Sequence, residues 1–190
     1  MAGLAGIAAG FVSIALATPP DLLIGDDGKL TALRGADGRL LLSSKRAARF
    51  DADLWLRRDG QEERLDWDDA ASQADSGLRC DALGCLFRRN GHLVALVKDP
   101  AALAEDCRAA DLVVSLEPVR VRCPSAQRVI DRFDLWRNGG YAAWLRTGGI
   151  DVETVRETRG ARPWVVEPQP RPRPSPASTA ATVPPGDPEP

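Results

Sequence analysis

GCLFRRNGHLVALVKDPAALAEDCRAADLVVS, residues 84–115, decides the fold. Gly84–Arg89 and His92–Val97 are apolar-rich runs around Asn90-Gly91, a turn whose left-handed backbone suits the twist of a two-residue hairpin. Asp99 then offers a side-chain cap, and Pro100 has its backbone angle preset for the first position of a helix. Leu103, Cys107 and Ala110 recur on one side of that helix. Asp111-Leu-Val-Val-Ser reads as a short strand of the buried kind. Two strands, a capped helix and a further strand therefore occupy one continuous stretch.

The same alternation extends outward. Asp21–Gly25, Lys29–Gly35 and Arg39–Ser44 read as strands, with Asp26-Asp-Gly and Ala36-Asp-Gly as hairpin turns. Ser44 is placed to cap a helix over 45–58, with Ala47, Phe50 and Leu54 on one apolar face and Asp59-Gly60 as its stop. Residues 61–79 are acidic and weakly patterned. Arg128–Asp131, Tyr141–Arg146 and Gly149–Val155 alternate as later strands. Strand groups separated by helices predict a mixed, layered α/β domain over residues 19–165.

Both ends differ from this middle. Residues 2–18 carry no charge and reach roughly 25 Å as a helix, close to the ~30 Å of a bilayer core. They read as a transmembrane helix or a signal-like segment (1–18). Ala15-Leu16-Ala17 has the small-x-small form of a cleavage site, while no Lys or Arg precedes the run. Gly6 and Gly10 have the spacing of a helix-packing motif, and Pro19-Pro20 ends the segment. From Pro163 onward the chain holds ten of its 15 prolines, so 166–190 reads as a disordered, extended tail.

Composition narrows the chemistry. Over 190 residues, 25 basic and 27 acidic side chains leave a formal charge of -2, which argues against bulk polycationic binding. The chain has one histidine, one tyrosine and one methionine, so histidine-based metal clusters are excluded. Asp66-Trp-Asp-Asp reads as a solvated acidic loop, and Ser115 lacks the surroundings of a nucleophile. Arg57-Arg58, Arg88-Arg89, Arg120/Arg122 and Arg132/Arg137 are spread along the chain. Arg88, Arg89, Arg132 and Arg137 are the candidate DNA contacts, to be met through phosphates. Trp136, Trp144 and Trp164 read as core or edge packing rather than base-stacking platforms.

The apolar helix ending Leu-Ala-Thr-Pro-Pro, then Asp21–Arg34, Cys80…Cys85, Ala104–Ser115, Ile130–Gly139 and Arg162-Pro-Trp together resemble the C-terminal region of ComEC-type competence proteins. These are DNA-uptake channels of the bacterial inner membrane. Residues 84–115 also resemble the second half of a metallo-β-lactamase-like domain. The resemblance spans about 1–165. It implies a truncated αββα-type domain after one hydrophobic helix, displayed on the periplasmic side and tethered to a channel subunit. Active relatives of that fold hold zinc with an H-x-H-x-D-H cluster. Here only His92 is present, Asp99 is explained as a cap, and Ser115-Leu116-Glu117 stands where a later histidine loop belongs. A catalytic zinc site needs three protein ligands and an open position. The expectation is a protein without catalytic residues, metal or cofactor. The rival readings are a metal-dependent hydrolase or nuclease with an irregular site, and a secreted binding domain with a cleaved signal.

Four cysteines in an exported domain suggest two disulfides, with three pairings possible. Cys80 and Cys85 bracket a turn, which leaves Cys107 on the helix and Cys123 beyond the buried strand. Free thiols and a four-thiolate zinc site are the alternatives.

Overall fold

The structure is a computed structural model and describes residues 2–72 and 76–165. In chain order the elements are α1 (Ala2–Leu16), β1 (Leu22–Ile24), β2 (Thr31–Arg34), β3 (Leu40–Leu42), α2 (Arg49–Arg58), β4 (Leu65–Asp66), α3 (Trp67–Ala71), β5 (Leu78–Cys80), β6 (Gly84–Arg89) and β7 (His92–Val97). A 3-10 turn at Pro100–Ala102 leads into α4 (Leu103–Ala109). Then follow β8 (Leu112–Ser115), β9 (Arg128–Ile130), α5 (Arg132–Asn138), β10 (Tyr141–Arg146), β11 (Gly149–Thr154) and α6 (Val155–Arg159).

Among the described residues eleven strands form two mixed sheets. The six-stranded sheet has the order β11-β10-β1-β2-β3-β4 and the five-stranded sheet the order β5-β6-β7-β8-β9. The hairpin expected at Asn90-Gly91 joins β6 to β7, with both turn residues at positive φ. β8 runs parallel to β7, so the capped segment between them is a crossover. Asp99 accepts a hydrogen bond from the Ala101 amide at 2.8 Å, as the cap reading requires.

Strand alternation places the layers. Val94 and Leu96 on β7 face the central core with Leu22, Ile24, Leu33 and Phe87, while Leu93, Ala95 and Val97 face Leu103 and Cys107 of α4. On the other sheet, Leu33 and Leu41 face the central core, whereas Ala32, Leu40 and Leu42 pack under Ala52 and Leu56 of α2. The order is thus helix, sheet, sheet, helix. Strands covered on both faces must be apolar at consecutive positions, which is why Leu40-Leu-Leu and Leu112-Val-Val carry no polar residue.

Three expectations need correction. First, the helix over 45–58 begins only at Arg49: Ala48 sits at φ 42, and the Ser44 hydroxyl caps a separate turn through the Arg46 and Ala47 amides. Second, its buried face is Ala52 and Leu56, while Phe50 and Leu54 are exposed. A small residue at 52 brings the helix onto the tightly packed β2–β3 surface, and that rotates the 50/54 stripe outward. Third, the weakly patterned stretch contains β4, α3 and β5. Trp67 is buried in the central core there, and the Asp66 side chain caps α3 by accepting from the Asp68 amide. Asp69 pairs with Lys45 at 2.9 Å, so the acidic run serves local structure.

At 15 residues α1 reaches roughly 22 Å. Among the described residues no helix is long and apolar enough to cross a membrane. Ile7, Phe11, Val12 and Leu16 are exposed, and a methyl added at Gly3, Gly6 or Gly10 meets nothing within 4 Å. The expected tail, 166–190, lies outside the described residues.

Candidate functional site

The tip of the β6–β7 hairpin is clamped to the six-stranded sheet. Arg89 places its Nε 2.5 Å from Asp21 Oδ1, an ion-pair contact without hydrogen-bond alignment, and donates to the carbonyls of Arg34 and Gly35 at 2.9 and 3.0 Å. The other Asp21 oxygen accepts from the Leu145 amide at 2.8 Å. Arg34 is 6% exposed and forms a two-pronged pair with Asp59, at 2.9 and 2.7 Å, while its Nε donates to the Pro20 carbonyl. Asn90 donates to the Leu145 carbonyl at 2.7 Å. Arg89, a candidate DNA contact on sequence, is therefore turned inward and committed to folding. Charges this far from water persist because each is paired and hydrogen-bonded.

His92 and the Ser115–Glu117 segment, weighed for metal chemistry in the sequence, have structural partners. His92 Nε2 donates to the Arg146 carbonyl at 2.7 Å, and its Nδ1 faces Asp111 Oδ2 at 3.6 Å. Asp111 itself accepts from the Leu93 amide at 2.8 Å. Ser115 is 1% exposed and closes a turn with Glu117, donating to its carbonyl and accepting from its amide. Leu116 lies over the β1–β2 turn, so close that a Cβ added at Gly28 falls 2.2 Å from its Cδ2. Gly28 also has φ 70, so the turn requires glycine on two counts. Among the described residues no group of three His, Cys, Asp or Glu side chains is placed to hold a metal ion.

An open concavity lies elsewhere. An open groove of about 1160 Å³ runs between α5 and α6 along the edge of the six-stranded sheet. Two reciprocal caps build its walls. Asp131 accepts from the Phe133 and Asp134 amides while Asp134 accepts from the Asp131 amide. Thr154 and Glu157 repeat the device at the start of α6. Each cap starts a short helix that carries arginine into the groove: Arg137 from α5, Arg156 and Arg159 from α6. Arg128 on β9 and Arg162 complete a set of five arginines against the carboxylates of Asp26, Asp134 and Glu157. Of these acids, Glu157 is spent on its cap, and Asp134 is shared between its cap and Arg137 at 2.8 Å. Trp136 is 49% exposed at the wall, and Trp164 is 73% exposed with the Arg162 guanidinium 5.8 Å above its ring. Tyr141 forms part of the floor. Burial pushes its phenol pKa up, and Asn138 donates to its hydroxyl at 2.6 Å.

The sequence candidates are thus dispersed. Arg137 lines the groove; Arg132, on the same helix, is exposed and is not among its lining residues; Arg88 is exposed on β6 of the other sheet. Trp136 is half-exposed and Trp164 largely exposed, so neither is a core residue, whereas Trp144 donates to the Thr18 carbonyl at 2.9 Å. Arg156, Arg159 and Arg162 fall within seven residues of one another, but only the fold sets them beside Arg128 and Arg137. Thr154-x-x-Glu157 and Asp131-x-x-Asp134 were readable as helix starts. All four cysteines are paired, Cys80 with Cys85 across the β5–β6 hairpin and Cys107 of α4 with Cys123.

Comparison with protein-family models, with curated proteins and with solved structures gives no match.

Proposed function

We propose that this chain is a non-catalytic, membrane-tethered accessory domain of a ComEC-type DNA-uptake apparatus, held on the periplasmic face beside a channel subunit. In this reading the domain is a degenerate, truncated metallo-β-lactamase-like αββα unit. The observation that carries the non-catalytic reading is the use of the resembled ligand positions. His92 ties two hairpins, Asp99 caps a helix, and Leu116 packs over the β1–β2 turn. The paired cysteines support an oxidising compartment. A helix apolar on all sides, with exposed Ile7, Phe11, Val12 and Leu16, supports a lipid environment for α1.

A topology reporter fused after Arg162 is expected to be active only outside the cytoplasm; a signal confined to the cytoplasm overturns the localisation. Purified protein is expected to cut DNA no faster than background. Reproducible cleavage that disappears in His92→Ala or Asp99→Ala restores the hydrolase reading.

Any DNA contact belongs to the α5–α6 groove, where arginine is concentrated, and is weak and independent of sequence. With about three phosphate contacts, affinity falls roughly 20- to 40-fold between about 50 and 200 mM salt, because each contact releases counterions. Arg137→Glu with Arg159→Glu is expected to abolish binding, as read by fluorescence anisotropy of a labelled oligonucleotide. Binding that ignores salt, or survives this double change, contradicts the groove assignment.

A further inference from the structure

Helix α2 has two apolar stripes. Ala52 and Leu56 face the sheet. Phe50 and Leu54, four residues apart on one side of the helix, point to solvent at 79% and 55% exposure. Arg57 and Arg58 lie seven and eight residues beyond Phe50 and so continue that outer stripe; Arg46 and Arg49 flank its start. Lys45 is held by Asp69 and Asp53 by Arg64, which removes one charge of each sign from the face. Among the described residues Arg46, Arg49, Arg57 and Arg58 have no ion pair, and Asp51 alone opposes them on the helix.

We propose that this outer face of α2 is a docking surface for an anionic lipid bilayer. Phe50 and Leu54 enter the boundary between headgroups and acyl chains, and the four guanidinium groups reach lipid phosphates around them. Arginine suits this arrangement because its stem packs on apolar surface while its head stays at the polar level. A second copy of the chain fits the face poorly. A twofold contact brings the same four cations against themselves, and two apolar side chains fall far short of the ~1,000 Å² a stable interface needs. The docking fixes which side of the domain rests on the membrane. It goes beyond the proposed function, which supplies only a tether to bring the surface near.

The test uses the full chain with Leu54→Cys carrying an environment-sensitive nitrobenzoxadiazole label, since the native cysteines are paired. The labelled protein is mixed with phosphatidylcholine vesicles with and without phosphatidylglycerol. A blue shift and several-fold rise in emission are expected only with the anionic lipid. Arg57→Gln with Arg58→Gln is expected to weaken docking roughly 30-fold, from the contribution of each cation near a charged surface. Flotation with the vesicles separately reports the α1 tether. Protein that floats with anionic vesicles while the label at 54 stays unchanged, and a second label at Phe50→Cys likewise, overturns the docking and leaves the tether standing. An emission change that follows protein concentration and ignores lipid also overturns it and identifies self-association.

Discussion

Replacing Asp21 with alanine is expected to cost about 3 kcal/mol of stability, a large share of the roughly 5–15 kcal/mol of an ordinary domain. The residue is 8% exposed and serves two partners from distant parts of the chain. One carboxylate oxygen meets Arg89 Nε and the other accepts from the buried Leu145 amide. Removing the carboxylate strands both: a guanidinium nitrogen shielded from water loses its counter-charge, and a backbone donor loses its acceptor. Exposed pairs such as Arg146–Asp151 lose well under 1 kcal/mol when broken. Urea unfolding of Asp21→Ala and Asp151→Ala side by side separates the two cases. Equal midpoints in the two variants rule out the clamp as a source of stability.

Serine at both Cys107 and Cys123 is expected to cost about 3 kcal/mol, and serine at Cys80 and Cys85 about 2 kcal/mol, on loop-closure entropy. The separations behind these figures are 16 and 5 residues. The longer loop includes β8 and the start of the irregular β8–β9 connection, which the disulfide ties to α4. Ser125 adds a hydrogen bond from its hydroxyl to the Arg108 carbonyl at 2.6 Å. The Cys80–Cys85 bond joins residues already paired in register on neighbouring strands, so less freedom is removed. Thermal midpoints are expected to fall by roughly 6–12 °C for the first pair, given about 2–4 °C per kcal/mol at this size. A larger loss from the Cys80/Cys85 variant contradicts the loop-length argument.

The helix α2 shows where sequence reading reaches its limit. Its stop at Asp59-Gly60 and its approximate span were legible, because both depend on residues within one turn. The buried face was not. Phe50/Leu54 and Ala52/Leu56 are both apolar at helical spacing, and choosing between them needs the shape of the surface beneath. Ala52 wins because Leu30 and Ala32 at β2 and Leu40 and Leu42 of β3 present a closely packed surface to the helix. Arg88 and Arg89 make the same point for the candidate site. Adjacent on a strand, they point to opposite faces, and only the presence of Asp21 on the neighbouring sheet gives Arg89 its role.

The sequence by itself determined the hairpin at Asn90-Gly91, the cap at Asp99, the turns at Gly28 and Gly38 and the buried strand at Leu112–Ser115. Each rests on steric and hydrogen-bond preferences within a few residues, which any surrounding structure must respect. The tertiary structure alone decided that β10 pairs with β1, that Asn90 and Asp21 both meet Leu145, and that five arginines drawn from β9, α5, α6 and the segment after it line one groove. Those contacts join residues up to 124 positions apart. They form because two sheets each need their apolar face covered, and the packing that satisfies both brings together side chains that no local preference relates.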